Sequence, residues 1–284
     1  MKPAPFTYHR PSTVREATDL LAEFARADGR ILAGGQTLVP TMAFRLARPA
    51  HLIDINGIRD LEGTTVERSV LRIRACARHS EFEQPGIPGS TGALLRRMAK
   101  FIAHYPIRQR GTFCGSVANA DPASEWCCAT AALGGTIIAQ SKRGIRRIEA
   151  AGFYKGSLTT DLAEDELIAE VELPLLADDT RTGFCEFSRR AGDFAIAMVL
   201  ASYRLERGRM CDVRVGLGGV EATPRRIPEA EAALTGQAPG KAAFETAADL
   251  AAHAVRPIED MNNRAEFRRG LVRTLLVRAF EDAA

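Results

Sequence analysis

Ala33-Gly34-Gly35-Gln36-Thr37-Leu38-Val39-Pro40 follows the short apolar segment Arg30-Ile31-Leu32, and about 75 positions later Arg110-Gly111-Thr112-Phe113-Cys114-Gly115-Ser116 repeats its chemistry. Either stretch alone is an ordinary chain reversal. Together they offer two sets of main-chain N–H groups unscreened by Cβ atoms, with hydroxyls at Thr37, Thr112 and Ser116. Converging amides of that kind are what the oxygens of a diphosphate require. Neither stretch is G-x4-G-K-[ST] or G-x-G-x2-G, which disfavours the two common phosphate folds. Asn119 adds a polar group after the second turn, and Asp121 and Glu125 follow it. Carboxylates are poor neighbours for phosphate but good acceptors for ribose and ribityl hydroxyls. The pattern describes a clamp around a long dinucleotide; the competing interpretation is two unrelated surface turns.

Outward from the turns, Thr13-Val14-Arg15-Glu16 reads as a capping box ahead of Val14, Ala17, Leu20, Leu21 and Phe24 at helical spacing. Residues 30–33 and 51–55 read as short strands, and Val70 to Ala75 alternates as a half-exposed one. Ser90-Thr91 is expected to cap a helix that carries Leu94, Leu95, Met98, Phe101 and Ile102 and runs to Tyr105-Pro106. Residues 136–139 and 166–173 are further strands. A polar, turn-rich stretch at 175–183 marks a domain boundary. Beyond it come three strand candidates (184–189, 195–204, 211–220), an Ala-rich helix from Lys241 and a final helix from Ala265 to Phe280.

The composition fits a folded protein with a sizeable core, 46% of 284 residues being hydrophobic and 26% charged. A net charge of +3 with no basic tract speaks against nucleic acid as a partner. No apolar run nears the roughly 18 residues of a membrane span, and the N-terminus lacks a signal core. Cys76, Cys114, Cys127, Cys128, Cys185 and Cys211 are scattered without C-x2-C pairs, and the five histidines show no metal-ligand spacing. A metal site carried by this chain is therefore not expected, and a cytoplasmic location is.

The stretches 33–40, 107–112 and 115–125 resemble the FAD-binding medium subunit of the molybdenum hydroxylases, the group that includes carbon monoxide dehydrogenase and the bacterial xanthine dehydrogenases. Arg189-Arg190-Ala191-Gly192-Asp193-Phe194-Ala195 resembles that family's C-terminal signature, and the helix through Phe267-Arg268 and Leu271-Val272 also fits. The resemblance runs from about residue 4 to residue 280. It implies an α+β protein with a two-subdomain FAD-binding fold of the vanillyl-alcohol-oxidase/molybdenum-hydroxylase type. The FAD domain would occupy 1–176, in subdomains of about 1–56 and 57–176. A C-terminal domain at 177–284 would hold a three-stranded antiparallel sheet with helices.

By the same resemblance, Leu32, Ala33, Gly34, Gly35, Gln36, Thr37 and Leu38 hold the diphosphate from one side. Gly111, Thr112, Cys114, Gly115 and Ser116 hold it from the other, with Asn119 close by. Ile102 and Ala103 would pack near the flavin, although helical spacing alone makes them core. Asp121 and Glu125 would bond FAD hydroxyls or sit near the ring. Leu167 and Ile168 would line the adenine side, which a plain strand pattern explains equally well. Asp193 and Phe194 would approach the isoalloxazine from the second domain. One position departs from the family: Cys114 stands where glycine is usual, and a left-handed backbone there would cost a Cβ on the order of 1 kcal/mol.

The implied role is electron output. A large subunit oxidises substrate at a molybdenum cofactor, and a small subunit with two [2Fe-2S] clusters passes electrons to FAD on this chain. They then leave for an acceptor such as NAD, a quinone or oxygen, in a dimer of heterotrimers. No residue of this chain need act as acid, base or nucleophile. The alternatives are a stand-alone FAD oxidoreductase of the same fold, such as an alcohol oxidase or enolpyruvyl reductase, and a scaffold that has lost its flavin.

Overall fold

In the computed structural model, which describes residues 2–283, a strand β1 (Thr7–His9) leads to Thr13, whose hydroxyl accepts from Glu16 N at 3.1 Å. That cap starts α1 (Val14–Phe24). The reciprocal arm of the expected capping box falls one residue early, since Glu16 Oε2 accepts from Ser12 N at 2.7 Å. Asp28 turns the chain in the left-handed region (φ 59°) into β2 (Gly29–Leu32). Next come α2 (Leu38–Ala43) and β3 (His51–Asp54), which slots between the first two strands as a parallel sheet ordered β1-β3-β2. Parallel pairing needs a crossover, and α1 supplies it, burying Ala17 and Leu21 against Ile53 and Ile55. The C-terminal residues of β2 and β3, Leu32 and Asp54, pair at the same end of the sheet, so the glycine-bearing segments that follow them start side by side.

The second unit opens with the hairpin β4 (Thr64–Glu67) and β5 (Val70–Arg74). Five helices follow in two groups: α3 (Gly89–Ala99), α4 (Tyr105–Arg108), α5 (Phe113–Asn119) and α6 (Glu125–Leu133) before β6 (Thr136–Ser141) and β7 (Gly144–Glu149), then α7 (Ala150–Phe153). A small ribbon, β8 (Tyr154–Gly156) and β9 (Thr159–Thr160), precedes β10 (Leu167–Pro174). The antiparallel sheet is ordered β4-β5-β10-β6-β7. One face buries Leu71, Ile73, Ile137, Ala139, Val171 and Leu173 beneath Leu94, Leu95 and Met98 of α3, Val117 of α5 and Trp126 of α6.

The helix expected from Ser90 to Tyr105 is two helices. Pro88 occupies the N-cap of α3, and the expected capping hydroxyls serve elsewhere: Thr91 accepts from Leu176 N at 2.7 Å and Ser90 donates to Asp178 O at 3.2 Å. Those bonds fasten the linker between the second and third units. After Ala99 the chain tightens into i→i+3 bonds (Phe101 N to Met98 O, Ile102 N to Ala99 O), then turns at Ala103 (φ 42°) into the extended His104, with Pro106 opening α4. Arg108 Nη1 takes up the freed carbonyls of Ile102 (3.0 Å) and Ala103 (3.1 Å).

The third unit is an antiparallel sheet of β11 (Arg181–Phe187), β12 (Ala197–Glu206) and β13 (Arg209–Gly218), extended by a two-residue edge strand β14 (Arg225–Arg226) absent from the sequence expectation. Helices α8 (Pro228–Leu234), α9 (Lys241–Ala254) and α10 (Ala265–Ala283) cover one face, with Phe244 and Phe280 stacked at 5.2 Å. No helix among the described residues is long and apolar enough to cross a membrane.

Close backbone approaches join these layers. Gly216 and Gly218 of β13 lie against Ala132 and Cys128 of α6, and Gly219 N donates to Pro122 O at 2.6 Å. The start of α6 is thereby held at the seam with the third unit. Gly183 of β11 lies directly on α10, where a methyl would overlap the carbonyl oxygen of Ala279. Neither backbone can yield, so Gly183→Ala is expected to destabilise the chain by about 1–3 kcal/mol, read as a lower midpoint in a chemical denaturation curve. A midpoint within error of the parent would contradict this packing.

Candidate functional site

A cavity of about 660 Å³ opens where the three units meet. Its size lies within the range of cofactor sites. The first loop follows β2. Gly35 turns it at φ 69°, and Val39 N donates back to Gly35 O at 2.9 Å as α2 begins. Gln36 Nε2 donates to Gly34 O at 2.9 Å, so that side chain braces the loop from inside. The amides of Gly34, Gly35, Gln36, Thr37 and Leu38 make no backbone bond among the described residues.

The second loop packs on the first. A Cβ on Gly34 would lie 2.6 Å from Arg110 O and from Gly111 Cα, and 2.9 Å from Thr112 N. The two turns therefore touch through bare backbone. Thr112 is the N-cap of α5, its hydroxyl oxygen accepting from Gly115 N at 3.0 Å. Its hydroxyl proton remains available as a donor. A cradle of free amides in which a single methyl would not fit is suited to a ligand that presses on backbone, as a diphosphate does.

Every residue singled out in the sequence lines this cavity. Leu32 to Leu38 and Gly111 to Ser116 form facing walls. Ile102 is buried, and Ala103 lies in the break between α3 and α4, not at a helix end. Asn119, Asp121 and Glu125 stand on the path from α5 to α6, where Asp121 Oδ1 accepts from Ala123 N at 2.9 Å. Leu167 and Ile168 come from the start of β10. Asp193 and Phe194 come from the loop between β11 and β12, and Phe194 is 73% exposed at the cavity mouth.

Cys114 needs no left-handed backbone, because it sits inside α5 and is buried. Its Sγ donates to Ile73 O at 3.3 Å, and burial pushes the thiol well above its ordinary range. The Cβ costs nothing in backbone conformation, and the thiol is an inert core group.

Three residues escaped the sequence analysis. Asn56 Nδ2 donates to Ala33 O (2.8 Å) and to Asp54 Oδ1 (2.6 Å). Arg78 donates to Asn56 Oδ1 at 2.6 Å and, through its other amino group, to Arg110 O. One guanidinium thus ties the second loop to the side chain that pins the first. Asn56-Gly57 carried only a turn signal, and Arg78 carried none. The third residue is His79, a buried imidazole in the cavity wall.

The charge state of the wall is set by burial. Glu125 is raised above the carboxylate range by desolvation and then by Asp121. Glu186 on β11 is raised as well, by desolvation and then by Glu125, and its buried Oε2 has no partner. His79 is held down at about 3 by desolvation, with the Arg78 and Arg108 cations adding to it. Among the described residues, no group of three or more His, Cys, Asp or Glu is placed to hold a metal ion.

Comparison with known proteins places this geometry. Residues 4–176 match the family model for the FAD-binding domain in molybdopterin dehydrogenase, and residues 182–283 match that for the carbon monoxide dehydrogenase flavoprotein C-terminal domain. The nicotine 6-hydroxylase medium subunit of Paenarthrobacter nicotinovorans is 34% identical, over 100% of this chain and 99% of that protein. A structure of carbon monoxide dehydrogenase from Hydrogenophaga pseudoflava superposes with a TM-score of 0.95 at 34% identity, covering 100% of this chain and 98% of the other. Quinoline 2-oxidoreductase from Pseudomonas putida 86 gives 0.93 at 32% identity, with 100% and 98% covered.

Proposed function

The chain belongs to the FAD-binding medium subunits of the molybdopterin dehydrogenases, and on that basis we propose that it is the electron-transfer subunit of a cytoplasmic molybdenum hydroxylase built as a dimer of heterotrimers. The observation that carries the assignment is the cavity between two touching glycine loops, walled by residues of all three units. A large partner bearing the molybdenum cofactor oxidises substrate, and a small partner bearing two [2Fe-2S] clusters delivers electrons to this chain. They leave to an external acceptor such as NAD, a quinone or oxygen. FAD held in this cavity would supply redox chemistry that accepts electrons one at a time and gives them up in pairs.

The chain's own residues bind and orient. Amides of Gly34 to Leu38 and of Thr112 grip the diphosphate, while Arg78 and Asn56 fix the loop spacing. Asp121 accepts from sugar hydroxyls. Glu125, raised to about 7 by its burial, donates as well as accepts while it carries its proton. Ile102, Ala103 and Phe194 flank the flavin and exclude water from it, and Leu167 and Ile168 line the adenine end. The domains divide near residue 176, where the linker crosses α3.

The relatives are named for nicotine, carbon monoxide and quinoline, three unlike substrates served by one chain architecture. That supports substrate choice on a partner and not here. Purified from its host, the chain is expected to carry FAD and to copurify with an iron–sulfur polypeptide and a molybdenum polypeptide, read by absorption, metal analysis and peptide mapping. A yellow chain recovered without either polypeptide overturns the electron-transfer assignment.

A further inference from the structure

His79 opens a 3-10 turn (His79–Glu83) and is only 4% exposed, yet it lines the cavity. Its ring is fixed from behind: Trp126 Nε1 donates to His79 Nδ1 at 2.9 Å. An indole N–H can only donate, so Nδ1 carries no proton and the ring's single N–H is on Nε2. Trp126 itself is held between Phe82 and Phe113, with ring centroids 4.9 Å from each. Protonating the imidazole would require breaking the indole bond inside that aromatic cluster.

Nε2 faces Gly111. A Cβ there would collide with His79 Nε2 and Cδ2, so glycine at 111 is what lets the imidazole reach the wall. His79 N also donates to Gly111 O at 3.0 Å, which couples the ring's backbone to the loop. Gly111 in turn touches Gly34, where the two loops meet. Nε2–H thus makes no hydrogen bond among the described residues and stands in the cavity lining beside Gly111, at the junction of the loops.

Resting on the diphosphate assignment above, we infer that His79 Nε2–H is a fixed, uncharged hydrogen-bond donor to an anionic diphosphate oxygen of FAD, with Trp126 as its positioning residue. A neutral donor of locked tautomer gives the anion a directed bond that pH changes do not switch. The surrounding positive charge comes from Arg78 and Arg108, which the ring itself need not supplement.

Titration of the full chain with FAD, ADP and riboflavin tests this. His79→Leu is expected to weaken FAD and ADP roughly 10–100-fold, as loss of a bond to a charged group does, and to leave riboflavin unchanged. His79→Gln, which restores an N–H donor at similar reach, is expected to recover most of the loss. Trp126→Phe frees the tautomer while burial and the Arg78 and Arg108 cations still keep the ring uncharged, so 15N-histidine spectra should show both tautomers and FAD and ADP affinity should fall severalfold. His79→Leu binding ADP as tightly as the parent overturns the inference. Should that variant fail to fold, the Nε2–H resonance of 15N-histidine-labelled parent chain decides: a shift on adding ADP supports the bond, and no shift overturns it. A parent chain that binds neither FAD nor ADP is a separate result, because it removes the diphosphate site itself.

Discussion

Gly34→Val is expected to weaken FAD binding by at least about 100-fold, a loss near 2.7 kcal/mol, while leaving the folded chain intact. The reason is what surrounds the position. The first atom of any side chain at Gly34 would meet Arg110 O and Gly111 Cα at 2.6 Å and Thr112 N at 2.9 Å, all of them backbone. No rotamer change relieves such a contact, so the loops must separate, and each then loses its register on the ligand. The fold should survive because Gly34 is half-buried at a surface junction, outside the three core clusters. Gly35 is the internal control. It has φ 69°, but its nearest neighbours are the side-chain ends of Leu32 and Val39 at 3.1 Å. Gly35→Ala therefore meets a backbone penalty of about 1 kcal/mol and movable atoms, and should cost only a few-fold in affinity. Fluorescence titration with FAD, alongside circular-dichroism melts, separates the two. Equal losses at both positions, or a Gly34→Val chain that binds within threefold of the parent, would show that the loop contact does not shape the site.

What the sequence disclosed and what it withheld follow one physical divide. Short-range chemistry was legible: glycines without side chains, hydroxyls and carboxylates close to them, and strands whose burial alternates, as in Val70 to Arg74. The cavity gathers those residues because three different units end at the same place. Contacts between distant segments were not legible. Arg78 reaches Arg110 and Asn56 across 32 and 22 positions, and the His79–Trp126 bond spans 47. No local pattern encodes such pairs. The break after α3 was missed for a related reason: Phe101 and Ile102 continue the apolar spacing, and the interruption rests on Ala103's backbone and on Arg108 accommodating two carbonyls. The strands β1, β4 and β7 escaped because they lie at sheet edges and bury few residues, and β1 and β4 are also short. Cys114 shows the opposite error, since a family preference for glycine suggested strain where the backbone is plain helix.

The chain without FAD is expected to lose stability as pH rises from about 7 to about 8.5, and Glu186→Gln to remove most of that loss. Glu125 on α6 is buried and Glu186 on β11 is half-buried with a buried Oε2, both at the seam between the second and third units; each is raised from its ordinary value of 4.5 by desolvation, Glu125 further by Asp121 and Glu186 further by Glu125. A raised folded value means that the folded chain keeps a proton which the unfolded chain releases. The stabilising contribution is whole below 4.5 and is lost as pH climbs through the folded value. His79 works in the opposite direction. Its folded value lies near 3, below the ordinary 6.5, so its contribution is whole above 6.5 and is lost as pH falls. Above pH 7 that opposing trend has ended, and buried Cys127 and Cys128, whose ordinary value is 9.0, have scarcely begun to matter. Inside the window each pH unit costs about 1.4 kcal/mol for a group that stays protonated only in the fold. Over the interval this corresponds to a Tm decrease of roughly 4–8 °C. Glutamine keeps the shape and cannot ionise, so the variant's melting temperature should stay nearly flat over the same interval and exceed the parent's at its upper end. A Glu186→Gln chain whose Tm falls as steeply as the parent's would place the titrating group elsewhere. If Glu125→Gln flattens the curve equally, the two carboxyls titrate as one pair, each raising the other's hold on its proton across the seam between the cavity wall and the third unit.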